Sequence, residues 1–366
     1  MANVALLVKK VKENRQKKLK GVQLRQAAKK EAVKSSALAT AKKGKKHEQF
    51  DIIIIGAGVA GLAGAMYAGR MGMKTLVIGD VPIGGVITLT DVVENYPGFK
   101  RLTGLELAEK IKEHALEYKI ELLEDKVVKV EKCPPACYTV ATDSGKTFHA
   151  KTLLFATGTK HRTLDVPGEK ELANKGVHTC ALCDGPVYKD KIVGVVGGSD
   201  SAGKEALLLT QWAKKVYMIY RREKIRPEPI NMERIKKKIK EGRIEIINNT
   251  NVTQIKGDKK VTSIILDKPY KGRNEFPIDA VFVEIGLVPL SDLAESIGVA
   301  INDKGEITIN RDAETNLPGV YAAGDVADTR FKQAITGVAE AVLAVYSAYS
   351  YLSEHNIVCT CGDEVG

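Results

Sequence analysis

From residue 50 onward the chain alternates short, β-branched apolar runs with longer stretches of helical periodicity. "FDIIII" (residues 50–55) is apolar at nearly every position and too short for a stable helix, the pattern of a strand buried on both faces. "GAGVAGLAGAMYAGRMG" follows with small residues at helical spacing, and "KTLVIGD" then supplies a second buried strand. The succession recurs: "KIVGVV" (residues 191–196), a glycine turn opening the helical "SAGKEALLL", and "KKVYMIY". Two strand–turn–helix–strand units predict an α/β fold with two Rossmann-like nucleotide-binding domains.

The turns carry the chemistry. In the first unit Gly56, Gly58 and Gly61 form GxGxxG at a strand-to-helix turn. The first glycine permits the tight turn, the second lets backbone approach a pyrophosphate, and the third lets helix pack close on strand. The helix N-terminus adds N–H groups and a partial positive charge. Asp80, just past the second strand, is placed to take a ribose hydroxyl. The second unit departs from the pattern. Gly197 and Gly198 open its turn, but aligned as GxGxxA the key positions are Gly197, Ser199 and Ala202, so a serine stands where backbone meets phosphate. Arg221, Arg222 and Arg226 follow its second strand, where guanidinium groups suit a 2′-phosphate and favour NADPH over NADH.

Charge changes the picture only at one end. Residues 1–48 hold fifteen Lys or Arg against three Glu, a net of +12, while the whole chain carries +11, so the remainder is close to −1. Composition therefore does not make the globular part a nucleic-acid binder. The Lys- and Ala-rich extension reads as a solvated tail, with weak attachment to an anionic membrane surface or to nucleic acid as the alternative. No apolar run reaches the ~20 residues of a membrane span, and "VALLV" is too short for a signal-peptide core. Six cysteines in 366 residues make no disulfide scaffold, which points to a reducing compartment, read as cytoplasmic.

Further motifs arrive in a definite order: "GGVITLTDVVENYPGF", "LLFATGT", "CALCDG", "LPGVYAAGDVAD" and "KQAITGVAEAVLA". From about residue 50 to residue 352 this set resembles the low-molecular-weight thioredoxin reductases. The resemblance implies two α/β domains, the second inserted into the first: residues 49–165 as the first part of an FAD domain, 166–289 as an NADPH and redox-cysteine domain, and 290–354 as the second part of the FAD domain. A basic extension at 1–48 and a cysteine-containing tail at 355–366 flank them. FAD would lie on Gly56, Gly58 and Gly61, with Asn95 reaching toward the flavin. Gly324 and Asp325 would meet the ribityl chain, and Lys332, Gln333 and Ala334 would stand at the start of the last helix beside the ring. The sequence departs from the family at Val86, where glutamine is frequent, at Lys332, where arginine is common, and at Ala339 and Ala341, often glycine.

Cys180 and Cys183 admit two readings. Zinc needs about four ligands, and neither the histidines nor Cys133, Cys137, Cys359 and Cys361 offer a matched second pair, although folding can still assemble one. The redox reading uses the neighbours: a helix start favours thiolate, and Asp184 can hold a proton for a thiolate leaving group or cap the helix. By resemblance, electrons pass from NADPH through FAD to the Cys180–Cys183 disulfide, with Cys183 nearer the ring. They continue to thioredoxin or a glutaredoxin-like protein, the inserted domain rotating about crossovers near Pro167 and Pro289. The family is usually homodimeric. Ser199 keeps open another donor, ferredoxin or a deazaflavin, and the basic extension a tethered flavin sensor. For Cys133 and Cys137 a local disulfide, a metal clip and unpaired thiols all stay open; Cys359 and Cys361 read as an uninvolved terminus or an outward electron relay.

Overall fold

The computed structural model describes residues 49–134 and 136–359. The basic extension, with its membrane-surface and nucleic-acid readings, lies outside the described residues. The first sheet grows from the strand that hydrophobicity marks most plainly. β1 (Gln49–Ile55) is followed by α1 (Val59–Arg70), β2 (Thr75–Gly79), α2 (Gly104–Leu116) and β3 (Ile120–Glu124). β4 (Val127–Cys133), β5 (Cys137–Thr142) and β6 (Thr147–Phe155) complete its first part. The strand order is β3-β2-β1-β6-β5-β4; β3, β2, β1 and β6 run parallel, while β4 and β5 form an antiparallel edge.

Ile52, Ile53 and Ile54 are fully buried, consecutive residues facing opposite sides of the sheet, which is why the run is apolar without alternation. Each such side chain contributes roughly 1.5–3 kcal/mol.

After β6 the chain leaves through β7 (Thr159–His161) and builds a second unit. Its elements are β8 (Val177–His178), α3 (Ala181–Asp184), β9 (Ile192–Val196), α4 (Asp200–Leu209), β10 (Lys215–Tyr220), α5 (Pro229–Lys240) and β11 (Ile244–Asn248). A meander of β12 (Val252–Gly257), β13 (Val261–Tyr270) and β14 (Arg273–Pro277) precedes β15 (Ala280–Val283). The order β11-β10-β9-β15-β8 is parallel throughout, and β12-β13-β14 form their own antiparallel sheet.

The chain returns through β16 (Leu287–Pro289), which pairs antiparallel with β7, so both crossovers are bound into one ribbon. α6 (Asp292–Glu295), β17 (Val320–Ala322) and α7 (Ala334–Glu354) follow, and β17 re-enters the first sheet beside β6. α7 is long and apolar enough to cross a bilayer by length and composition. Its buried side, including Ala341, Ala344 and Ala348, packs against the first sheet and α1, with Ala341 facing Gly64. The topology is the doubly wound pair with one unit inserted into the other that the motifs imply.

Candidate active site

Both glycine turns sit at the C-terminal ends of parallel strands, where an open α/β sheet leaves its crevice. In the first, Gly56 has φ +112° and no room for a Cβ against the Ala156 carbonyl, while a Cβ on Gly61 would enter the Gly56 carbonyl. These two glycines are demanded by the fold. Gly58 is different. A Cβ there would meet no protein atom nearer than 3.9 Å, so the protein leaves that space open beside the N-terminus of α1. Gly58 is the N-cap, no side chain caps the helix, and its first turn carries no acid, which suits a phosphate. Gly84 bridges to Gly58 and closes one wall.

The remaining residues expected beside a flavin converge on two helix starts. Gln333 caps α7, and Asn95 Nδ2 donates to Gln333 Oε1 at 2.9 Å, fastening the 84–99 loop to that helix. Ala334 opens the helix. Gly324 has φ +78° and lies against Gly337 and Ala60, which brings the α7 and α1 N-termini together. Asp325 is half-buried, and burial raises its carboxyl above the ordinary range. Lys332 turns inward: its ammonium donates to the Asp325 and Ala327 carbonyls at 2.8 and 2.6 Å and pairs with Glu306 at 3.0 Å, so it braces the 325–327 turn. Asp80 is exposed and accepts from the Val81 N–H. The open cradle and helix termini fit a dinucleotide with a ring beside α7.

The second turn is built otherwise. Cβ atoms on Gly197 and Gly198 would strike the Glu284 carbonyl and the Tyr220 ring, so both glycines serve packing. Ser199 is the N-cap of α4, and its hydroxyl accepts from the Ala202 N–H at 3.4 Å. The serine therefore occupies one of the donors that a glycine would leave to phosphate. Asp200 points away, accepting from the Glu228 N–H and Asn231 Nδ2 and pairing with Lys204. The Arg226 N–H donates to the Gly198 carbonyl at 2.6 Å, laying the arginine loop over the turn, and Arg221, Arg222 and Arg226 are all exposed there.

Cys180 and Cys183 form a disulfide with Cα atoms 5.4 Å apart. Cys180 is the N-cap of the single-turn α3, and its sulfur accepts from the Cys183 N–H at 3.1 Å. Cys180 is buried and Cys183 exposed. Among the described residues no cluster of three or more His, Cys, Asp or Glu side chains could hold a metal ion.

Four further side chains escape sequence reasoning. His178 is buried, with Nδ1 3.1 Å from Asp184 Oδ2, an ion-pair approach rather than an aligned hydrogen bond, and Nε2 2.7 Å from the Tyr188 hydroxyl. Burial lowers its pKa and Asp184 opposes the shift. Its signal was a histidine two residues before a CxxC. Glu205 on α4 accepts from the Ala181 N–H and so holds the start of the redox turn; burial pushes its carboxyl up to about 7. Glu284, directly after β15 and before the crossover strand β16, is pushed up to about 8 by burial and then by Glu205. His161 Nδ1 on β7 lies 3.8 Å from Glu284, and burial lowers that imidazole.

A carboxyl whose folded pKa is raised keeps its proton where the unfolded chain has lost it. Stability therefore falls as pH rises from about 4.5 through about 8. Glu284→Gln is expected to stabilise the protein by on the order of 2 kcal/mol above pH 8 and to change nothing below pH ~4.5. Thermal unfolding of both proteins at the two ends of that window checks it.

The profile of the pyridine nucleotide-disulphide oxidoreductase family matches residues 50–341. The chain belongs to that family of oxidoreductases. Within it, the chain is 38% identical to a thioredoxin reductase of Listeria innocua over 307 residues, 83% of this chain and 94% of the relative. The solved thioredoxin reductase of Lactococcus lactis in its FR conformation is 34% identical, with TM-score 0.79 over 84% of this chain and all of that one. The thioredoxin reductase of Streptococcus pyogenes MGAS5005, 32% identical over 85% of this chain and all of that one, superposes at only 0.57.

Proposed function

We propose that the protein is an NADPH-dependent thioredoxin-disulfide reductase that holds FAD on the first nucleotide unit and NADPH on the second. The observation that carries this is the Cys180–Cys183 disulfide on a single helical turn, in a chain that folds one strand–glycine–helix turn before it and a second after it. The bound flavin and nicotinamide supply two-electron transfer; the chain's residues do the rest. Gly58 and the α1 N-terminus take a pyrophosphate, Asn95 and Gln333 fix the ring-side loop, and the arginine loop selects the nicotinamide coenzyme.

Cys183 is exposed at the surface, so the pair, once reduced to two thiols, is within reach of a disulfide on a small protein partner, for which thioredoxin or a glutaredoxin-like protein has the right chemistry. Each thiolate released on reduction must be protonated. Asp184, contacting His178, stands one residue from Cys183 to hand that proton over, and Tyr188 fixes the far edge of the imidazole.

Alternating access to the disulfide calls for the inserted unit to turn about the β7–β16 ribbon. Two relatives of near-equal identity and coverage superpose at 0.79 and 0.57, as the same elements would in two arrangements. Arg234 on α5 pairs with Glu94 of the flavin-side loop at 2.9 Å, a contact that such a turn would break.

Anaerobic titration of the FAD-loaded protein with NADPH tests the reading. Bleaching of the oxidised flavin that consumes two reducing equivalents beyond the flavin supports it. Reduction by dithionite but not by NADPH sinks the donor assignment. His178→Gln is expected to lower kcat about 10-fold and to shift a limb of the kcat–pH profile, whereas a purely structural loss would lower the whole profile without moving it.

A further inference from the structure

A run of polar contacts leads from the 84–99 loop into the second nucleotide unit. Glu94 lies directly before Asn95, the residue that ties this loop to Gln333 at the start of α7. Its carboxylate pairs with Arg234 of α5 at 2.9 Å, with Arg101 farther off at 4.0 Å. Arg234 Nη1 in turn donates to Asn231 Oδ1 at 3.3 Å. Asn231 is buried, and its Nδ2 donates to Asp200 Oδ1 at 2.9 Å. The Glu228 N–H donates to the same oxygen at 2.7 Å, and Lys204 meets the other at 2.8 Å.

Asn231 stands between one charge of each sign, and that fixes its amide. Turned over, its carbonyl oxygen would face the Asp200 carboxylate and its NH2 the guanidinium, two contacts of like polarity in a buried place. Arg234 therefore orients the amide, and Glu94 orients Arg234. The ion pair is partly exposed and contributes little energy by itself. Its effect is directional.

Direction matters at Asp200. It is the first residue of α4, next to the Ser199 N-cap, so its carboxylate lies beside the helix terminus that the coenzyme reading offers to a pyrophosphate. Burial opposes its charge, yet Lys204, Asn231 and the Glu228 N–H outweigh burial and hold its pKa below the ordinary value. It is an anion at neutral pH. A free carboxylate at this place would compete with phosphate for the helix terminus and repel it. Held toward α5, the same carboxylate fastens Glu228, two residues past Arg226 of the arginine loop.

We propose that Asn231 and Arg234 are positioning residues for the second nucleotide turn, keeping Asp200 turned from the phosphate path as long as Glu94 holds the guanidinium. This role rests on the coenzyme reading above and gives it a consequence. A turn of the inserted unit takes Glu94 from Arg234, Asn231 loses the hold on one of the two charges that orient it, and the turn becomes a poorer phosphate site. The coenzyme is therefore bound best while the ion pair is closed, and by linkage its binding favours that arrangement by the same factor.

Glu94→Gln separates orientation from bulk charge, because the two predict opposite signs. Removing a negative charge tightens binding of an anionic coenzyme through the general field, whereas losing the hold on Arg234 weakens it. NADP+ is titrated calorimetrically into the full-length, FAD-loaded protein. Glu94→Gln is expected to weaken binding about threefold, within the range of one exposed ion pair. The weakening should vanish in an Asp200→Asn background, where no charge is left to hold away. Unchanged or tighter binding in Glu94→Gln overturns the proposal, and so does equal weakening with and without the Asp200 charge. A wild type that binds no NADP+ sinks the coenzyme reading itself, whereas a wild type and a Glu94→Gln variant that bind it equally sink only this role.

A second readout needs no coenzyme. Pro227 and Pro229 carry no N–H, so the Glu228 amide is the one backbone N–H between Arg226 and Ile230. Its hydrogen exchange in the coenzyme-free protein reports the bond to Asp200. Faster exchange in Glu94→Gln than in wild type is expected, and an unchanged rate overturns the positioning role even where affinities shift.

Discussion

Cys180→Ser and Cys183→Ser are each expected to lower disulfide-reducing turnover by at least about 10³-fold while leaving the bound-flavin spectrum in place. Two sulfurs act as one device: the first attacks and the second releases the mixed disulfide, so either substitution stops the cycle. The two variants should differ in another respect. Cys180 is 6% exposed whereas Cys183 is exposed, so the serine at 180 leaves an open thiol and the serine at 183 a covered one. Iodoacetamide should modify the lone thiol about 10-fold faster in Cys180→Ser than in Cys183→Ser. Equal rates would show that α3 rearranges freely once the disulfide is gone. Retained turnover in either variant would remove the pair from the reaction altogether.

The two sheets were legible because their strands are buried on both faces, which leaves uninterrupted runs such as residues 52–55 and 192–196. Glycine turns were equally plain, but the reasons for each glycine were not. Gly56, Gly61, Gly197 and Gly198 meet neighbouring protein atoms, whereas Gly58 faces open space; that distinction depends on atoms far off in sequence, such as Ala156 and Glu284. Lys332 was expected at the start of the last helix, and its ammonium is tied to the Asp325 and Ala327 carbonyls and to Glu306, contacts no local pattern announces because a long flexible side chain takes the acceptors that folding presents. Glu205 and Glu284 were invisible for a related reason. Glu205 shares its helix with Asp200 and Lys204, Glu284 follows β15, and only tertiary packing shows which acids lose solvent and rise in pKa. Cys137 and Cys359 pack together although more than 200 positions apart, and no local pattern announces such a contact.

Replacing Arg221 and Arg222 together with alanine is expected to weaken NADPH binding by 10- to 100-fold, the worth of one or two charge-assisted hydrogen bonds at roughly 1.5–3 kcal/mol. Binding of NADH should change less than about threefold. Arg226 is the useful third position, since its backbone N–H donates to the Gly198 carbonyl and that bond survives replacement by alanine, so the turn stays in place while the guanidinium is lost. The contrast between coenzymes carries the argument. Ser199 withdraws one helix donor from the pyrophosphate, and that loss falls equally on both coenzymes. In the proposed reading, the guanidinium groups past β10 act only where a 2′-phosphate is present. Stopped-flow reduction of the bound flavin across coenzyme concentrations separates the two effects, because affinity and limiting rate are read independently. Parallel weakening toward NADPH and NADH would mean that the loop shapes the turn rather than reading the phosphate. Reduction by neither coenzyme, in wild type as in variant, would leave the arginines as a surface patch and move the search to a different electron donor.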